Sequence, residues 1–113
     1  MEFEINEKRM VQTFVELAKI SSLSGKEAGV ARYLERTLRA MGAETYIDNA
    51  GNRINGNTGN LIARFKGTVD SAPFLLSAHM DTVGPADNIK PVVLPDRVTS
   101  DGKTILGADC KAG

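Results

Sequence analysis

Residues 73–83, with the sequence PFLLSAHMDTV, are the most informative stretch of this chain for predicting its fold and function. Residues 73–78 are continuously apolar apart from Ser77, a pattern typical of a central strand covered on both faces. The run leads into His79, the chain's single histidine, and a carboxylate follows at Asp81. Because residues i and i+2 of a strand lie on the same face, we expect His79 and Asp81 to contact the same object. An imidazole with an acidic partner is a common form of metal ligand.

Composition limits the classes of function. A chain of 113 residues forms at most one domain, and 42% hydrophobic with 25% charged residues is typical of a soluble globular protein. Fourteen basic and fourteen acidic residues cancel, so nothing favours nucleic acid or an anionic membrane as a partner. No apolar run has the length of a membrane span.

The N-terminus has no basic region followed by an apolar run, so we expect no signal peptide. The single cysteine, Cys110, cannot form an internal disulfide. Both observations favour a cytoplasmic location. Cys110 is interpreted as a small, semi-buried residue, because the one histidine that could activate it has a better use at the metal site.

Two helices are predicted in the first part of the chain. Apolar residues recur at helical spacing from about Asn6 to Ile20. Ser24, with Glu27 three residues later, predicts a capping box that opens the second helix. Gly42 lies where the C-terminal cap of that helix belongs.

Strands are predicted after residue 42. Residues 43–47 and 61–65 alternate with period two, and the segment between them holds five asparagines and three glycines, with a short strand expected around Arg53. A further short strand is expected at residues 92–94, and a hairpin turn at 100–103. Helices followed by several strands, one of them buried, predict an α/β layered fold.

Each candidate site residue could also have an ordinary structural role. A lone histidine is more often structural than catalytic, but His79 ends a predicted buried strand, where α/β sheets place ligands. Asp109 lies in a Gly-rich stretch, residues 106–113, which alone would also fit a plain surface turn. Three other aspartates in turn contexts are assigned solvated roles: Asp87, Asp96 and Asp101.

The segments HMDTV at 79–83 and GADCKAG at 107–113 together resemble the two N-terminal signatures of the M20 zinc peptidases. Within that family the resemblance is to the peptidase T group of tripeptide aminopeptidases, which the runs at 20–27 and 100–109 also resemble. It covers essentially the whole chain in order. It implies the N-terminal part of an M20-type catalytic domain, with two helices and then a mixed, twisted sheet that carries the metal site at its strand ends.

The resemblance also implies roles for individual residues. His79 would ligate one zinc of a two-zinc centre, Asp109 would bridge both metals, and Asp81 would hold the His79 ring as a catalytic residue that binds no metal. Many relatives carry a second aspartate where this chain has Cys110, a departure that leaves the bridging position intact. Short peptides are the implied substrates.

In the family, the general-base glutamate, further ligands and an inserted lid domain that often dimerises come later in the chain. Residues 1–113 are therefore expected to be the N-terminal portion of a longer enzyme, inactive alone and homodimeric when complete. Two alternatives stay open. One is another M20 hydrolase, either a carboxypeptidase or an N-acyl amino acid deacylase, and the other is a non-catalytic binding module that keeps a degenerate metal scaffold.

Overall fold

The computed structural model describes residues 2–85 and 87–101. Helix α1 spans Glu7–Lys19, and the Asn6 side chain caps it by accepting a hydrogen bond from the Arg9 N–H at 2.9 Å. Helix α2 spans Ala28–Ala40. The Tyr33 hydroxyl of α2 donates to Glu16 of α1 at 2.6 Å, which links the two helices. Both predicted helices are thus confirmed, with ends that differ from the predicted ones by a few residues at most.

Helix α2 ends at a Schellman motif, as the glycine after it predicts. Gly42 has φ +97°, a left-handed conformation in which a Cβ is unfavourable. Its N–H bonds the Arg39 carbonyl at 2.9 Å, and the Ala43 N–H bonds the Leu38 carbonyl at 3.0 Å. These two bonds satisfy carbonyls that the end of a helix leaves without partners.

The first sheet is antiparallel and has two strands, β1 at Glu44–Ile47 and β2 at Leu61–Arg64. Their register pairs Glu44 with Arg64 and Ile47 with Leu61, and α2 packs against both strands. The connection between the strands contains a 3-10 helix at Ala50–Ile54 where a short strand was expected.

Asp48 organises that connection. Its carboxylate accepts hydrogen bonds from the Ala50 N–H at 3.0 Å, the Asn60 N–H at 2.8 Å and the Asn60 amide group at 2.9 Å. The pKa of Asp48 lies below its ordinary value because the Ala50 N–H and the two Asn60 donors stabilise the charged form. At Gly59 the chain passes so close to Asp48 that a Cβ would overlap the Asp48 carbonyl oxygen.

The second sheet is a hairpin formed by β3 at Pro91–Val93 and β4 at Val98–Ser100. Strand β3 contacts α1, so the hairpin and the first sheet lie against different helices. The expected strand at 92–94 is confirmed in a slightly shifted position. The turn expected at 100–103 extends beyond the described residues.

Residues 73–78 differ from the prediction. They contain no strand, and Phe74, Leu75 and Leu76 are 89%, 87% and 88% exposed. A strand is stable when neighbouring strands bond its backbone N–H and C=O groups. The four described strands pair only as β1 with β2 and β3 with β4. The prediction of a covered central strand is therefore wrong for this structure, and the described residues form two small antiparallel sheets and no mixed, twisted sheet.

Candidate metal-ligand pair

The segment that carries His79 and Asp81 is anchored to the connection between α1 and α2. The Thr82 N–H donates to the Ser22 carbonyl at 2.8 Å, and Leu23 forms an isolated parallel bridge with Thr82. Ser22 and Thr82 are 0% and 2% exposed. His79 and Asp81 are therefore positioned by a short buried contact between two loops, and not by the strand end that the sequence predicts.

His79 and Asp81 lie in direct contact, although no strand carries them. The His79 Nδ1 atom lies 2.8 Å from Asp81 Oδ1 and 2.9 Å from the Asp81 backbone oxygen. A backbone oxygen can only accept a hydrogen bond, and so can the oxygen of an ionised carboxylate. Nδ1 must therefore carry the proton. In a neutral imidazole with that tautomer, Nε2 is the nitrogen that has a lone pair for a metal.

Asp81 has a second partner that the sequence interpretation missed. The Ser24 hydroxyl donates to Asp81 Oδ2, so the two carboxylate oxygens face different donors. The pKa of Asp81 lies below its ordinary value, first because of the Ser24 hydrogen bond and second because of His79. Asp81 is therefore a carboxylate over the whole neutral range.

The predicted capping box at Ser24 and Glu27 is not formed. Glu27 is the N-cap residue of α2 and makes no side-chain capping bond, while its carboxylate accepts from the Gly25 N–H at 2.8 Å. The Ala28 N–H is satisfied by the Asn57 side chain at 3.0 Å. A partner 29 residues away thus does the capping, and the Ser24 hydroxyl bonds Asp81.

Two further predictions on site residues have different outcomes. Asp109, the predicted bridging ligand, lies outside the described residues, as does Cys110. Asp87, for which the sequence predicts a solvated role without a partner, is exposed but accepts a hydrogen bond from the Ser21 hydroxyl. Within residues 2–85 and 87–101, no three His, Cys, Asp or Glu side chains are grouped so that they could hold a metal. None of the described helices is long and apolar enough to cross a membrane.

Comparisons with known proteins agree with the resemblance of the two motifs. The structure matches a tripeptidase from Staphylococcus aureus with a TM-score of 0.85 and 40% identity, and aminopeptidase PepT from Bacillus cereus with a TM-score of 0.82 and 35% identity. Each match covers 96% of this chain and 29% of the other. An uncharacterized protein of Bacillus subtilis, YqjE, is 40% identical over 109 residues, again 96% of this chain and 29% of its own length. The sequence matches no protein-family profile.

With identities of 35–40% and TM-scores above 0.8, the chain is similar to these two peptidases over nearly its whole length. More particularly, it matches the N-terminal region of the peptidase T and tripeptidase proteins. The chain spans 29% of the length of these relatives, so their similarity concerns the region that contains His79 and Asp81.

Proposed function

We propose that this chain is the N-terminal portion of the catalytic domain of a di-zinc aminopeptidase, which removes the N-terminal residue of short peptides. The observation that carries the proposal is the contact between His79 and Asp81, in a chain 40% identical to a tripeptidase over the matched region. The mixed, twisted sheet of such a domain, and an inserted lid domain, would then come from later parts of a longer protein.

The donor set fits zinc, which takes imidazole nitrogen and carboxylate oxygen in catalytic sites. His79 would hold one zinc through Nε2, and Asp109 would bridge two zinc ions. Zinc supplies a Lewis acid that lowers the pKa of bound water and polarises the scissile carbonyl. Asp81 would bind neither metal; its ionised carboxylate would keep the His79 ring in the tautomer whose Nε2 can bind zinc.

The number of ligands predicts that the 113-residue chain has no activity alone. A catalytic zinc typically has three protein ligands and a water. This chain offers His79 and the shared Asp109, and a general base would also have to come from elsewhere in a longer protein. A cytoplasmic location and a homodimer formed by the complete protein are parts of the same proposal.

The first experiment determines the intact mass of the protein in its native cells, followed by assays of the purified protein. A mass well above that of 113 residues, with chelator-sensitive release of the first residue of a tripeptide, is the expected result. His79→Ala should abolish turnover, whereas Asp96→Asn, on an exposed turn, should leave it unchanged. Unchanged turnover in His79→Ala would remove His79 from the site.

Substrate choice separates this proposal from its alternatives. An aminopeptidase must recognise a free α-amino group, so acetylation of the tripeptide should prevent hydrolysis. Preferred hydrolysis of N-acyl amino acids would indicate a deacylase, and release of the last residue would indicate a carboxypeptidase. A native mass of 113 residues with no hydrolysis would favour the non-catalytic binding module.

A further inference from the structure

The Asp81 carboxylate has a hydrogen-bond partner, Ser24, that has no role in the proposed reaction. Ser24 lies 57 positions before Asp81 in the chain, yet its hydroxyl donates to Oδ2 while Oδ1 faces His79. The three side chains form a continuous series from Ser24 through Asp81 to His79. Each member is held by the next through a hydrogen bond, and both carboxylate oxygens are occupied.

The backbone around Ser24 is fixed from two sides. Before it, Ser22 and Leu23 are joined to Thr82, which is next to Asp81. After it, Gly25 turns the chain with φ +83°, and its carbonyl accepts from the Asn57 N–H at 3.0 Å. Ser24 thus lies on a short stretch of fixed backbone that is bonded to the segment carrying His79 and Asp81.

A serine shortly before a helix ordinarily caps the helix N-terminus, but other groups do this here. Helix α2 begins at Ala28, and Asn57 satisfies the N–H at its start. The Gly25 N–H is satisfied by Glu27. A capping function therefore does not account for the Ser24 hydroxyl, and its bond to Asp81 does.

We propose that Ser24 is a positioning residue, whose hydroxyl fixes the Asp81 carboxylate so that the carboxylate fixes the orientation and tautomer of His79. A carboxylate that has lost one donor can rotate about its Cβ–Cγ bond, and the ring is then held less firmly. The consequence for zinc rests on the function proposed above, but the arrangement of the three side chains does not.

The test uses the fact that His79 is the chain's one histidine, so an imidazole ¹⁵N spectrum of the 113-residue chain reports this ring alone. At alkaline pH we expect the Nδ1–H tautomer to predominate in the wild type. Ser24→Ala should shift the population toward Nε2–H, and Ser24→Thr, which keeps a hydroxyl, should restore the wild-type spectrum. Ser21→Ala is the matched control, because it removes a nearby serine hydroxyl bonded to a different carboxylate, Asp87.

Circular dichroism establishes that each variant is folded. If Ser24→Ala fails to fold, Ser24→Cys replaces it, because the thiol has a similar size and is only a weak donor. A spectrum of Ser24→Ala or Ser24→Cys identical to that of the wild type would overturn the inference. A shift of the same size in Ser21→Ala would also overturn it, since the effect would then be a general loosening of the segment.

A second readout uses the longer native protein. Loss of an outer partner of a metal-binding histidine typically costs about 10–100-fold in affinity or activity. We expect Ser24→Ala to lower kcat about 10-fold with KM unchanged, and Ser24→Thr to recover it. A wild-type protein that hydrolyses no peptide would contradict the proposed function, whereas an unchanged tautomer in Ser24→Ala contradicts only the role of Ser24.

Discussion

Ser22 offers a direct test of how buried polar groups contribute to the stability of this chain. Its side chain is completely buried, and among the described residues its hydroxyl oxygen has no hydrogen-bond partner. Its backbone carbonyl accepts from Thr82, an interaction that alanine would keep. We therefore expect Ser22→Ala to stabilise the chain, whereas most substitutions of buried residues destabilise.

The magnitude follows from two opposing contributions. An unsatisfied buried hydroxyl costs about 1–3 kcal/mol of desolvation, which alanine removes. The substitution leaves a void of about 10–15 Å³, the size of one water probe. At about 24 cal/mol per Å³ the void costs roughly 0.2–0.4 kcal/mol. The net expectation is a gain of about 1–2 kcal/mol in the free energy of unfolding, and a Tm higher by about 4 °C per kcal/mol.

The assay is urea denaturation of the wild type and the variant, followed by far-UV circular dichroism. Equal m-values would show that the same surface is exposed in both, so that the midpoints can be compared. Ser71→Ala, at an exposed position where only the backbone N–H is hydrogen-bonded in the described structure, is the control and should stay within about 0.5 kcal/mol of the wild type. A loss of 1 kcal/mol or more in Ser22→Ala would refute the reasoning, because it would mean that the hydroxyl has a partner.

Three other predictions concern the connection after β1 and the exposed apolar run. Gly59→Ala should cost about 1–3 kcal/mol by urea denaturation because its Cβ would overlap the Asp48 carbonyl, whereas Gly56→Ala, with only ordinary contacts, should be tolerated. In the folded chain the pKa of Asp48 is lowered from its ordinary value of 3.8. The ionised Asp48 carboxylate should therefore stabilise the fold fully above pH 3.8, and this stabilisation should be lost as the pH falls through the folded-state pKa. The stability difference between the wild type and Asp48→Asn should therefore narrow in acid, and a pH-independent difference would contradict this. The 113-residue chain should self-associate through its exposed apolar run, and Leu75→Lys should reduce the apparent mass in light scattering; equal association of both chains would exclude this surface.

Local chemistry explains which elements the sequence predicted. The cap at Asn6, the glycine after α2 and the alternation in β1 and β2 each depend on residues a few positions apart. Such interactions are encoded within one window of sequence, so periodicity and capping rules identify them. The contact of His79 with Asp81 is local as well, since the two residues are two positions apart, although the strand from which we expected them to share a face is absent.

Long-range partners explain where the predictions failed. The capping-box pattern at Ser24 was a sound local signal, but Asn57 bonds the start of α2 and Asp81 takes the serine hydroxyl. The apolar run at 73–78 has the composition of a covered strand, yet a strand also depends on neighbours that the run itself does not specify. The signal that could have linked Ser24 to the candidate site was the resemblance of residues 20–27 to the peptidase T group.

The competing hydrolase hypotheses share the pair formed by His79 and Asp81, so under each of them a substitution at either residue should lower activity alike. They differ in what must be recognised next to the scissile bond, a free amino group for an aminopeptidase and an acyl group for a deacylase. Because the chain covers 29% of its relatives, recognition of that group is expected to depend on residues beyond this region. Substitutions at His79, Asp81 and Ser24 therefore test whether this site holds a metal. Comparison of a free peptide with its acetylated form tests which bond is hydrolysed.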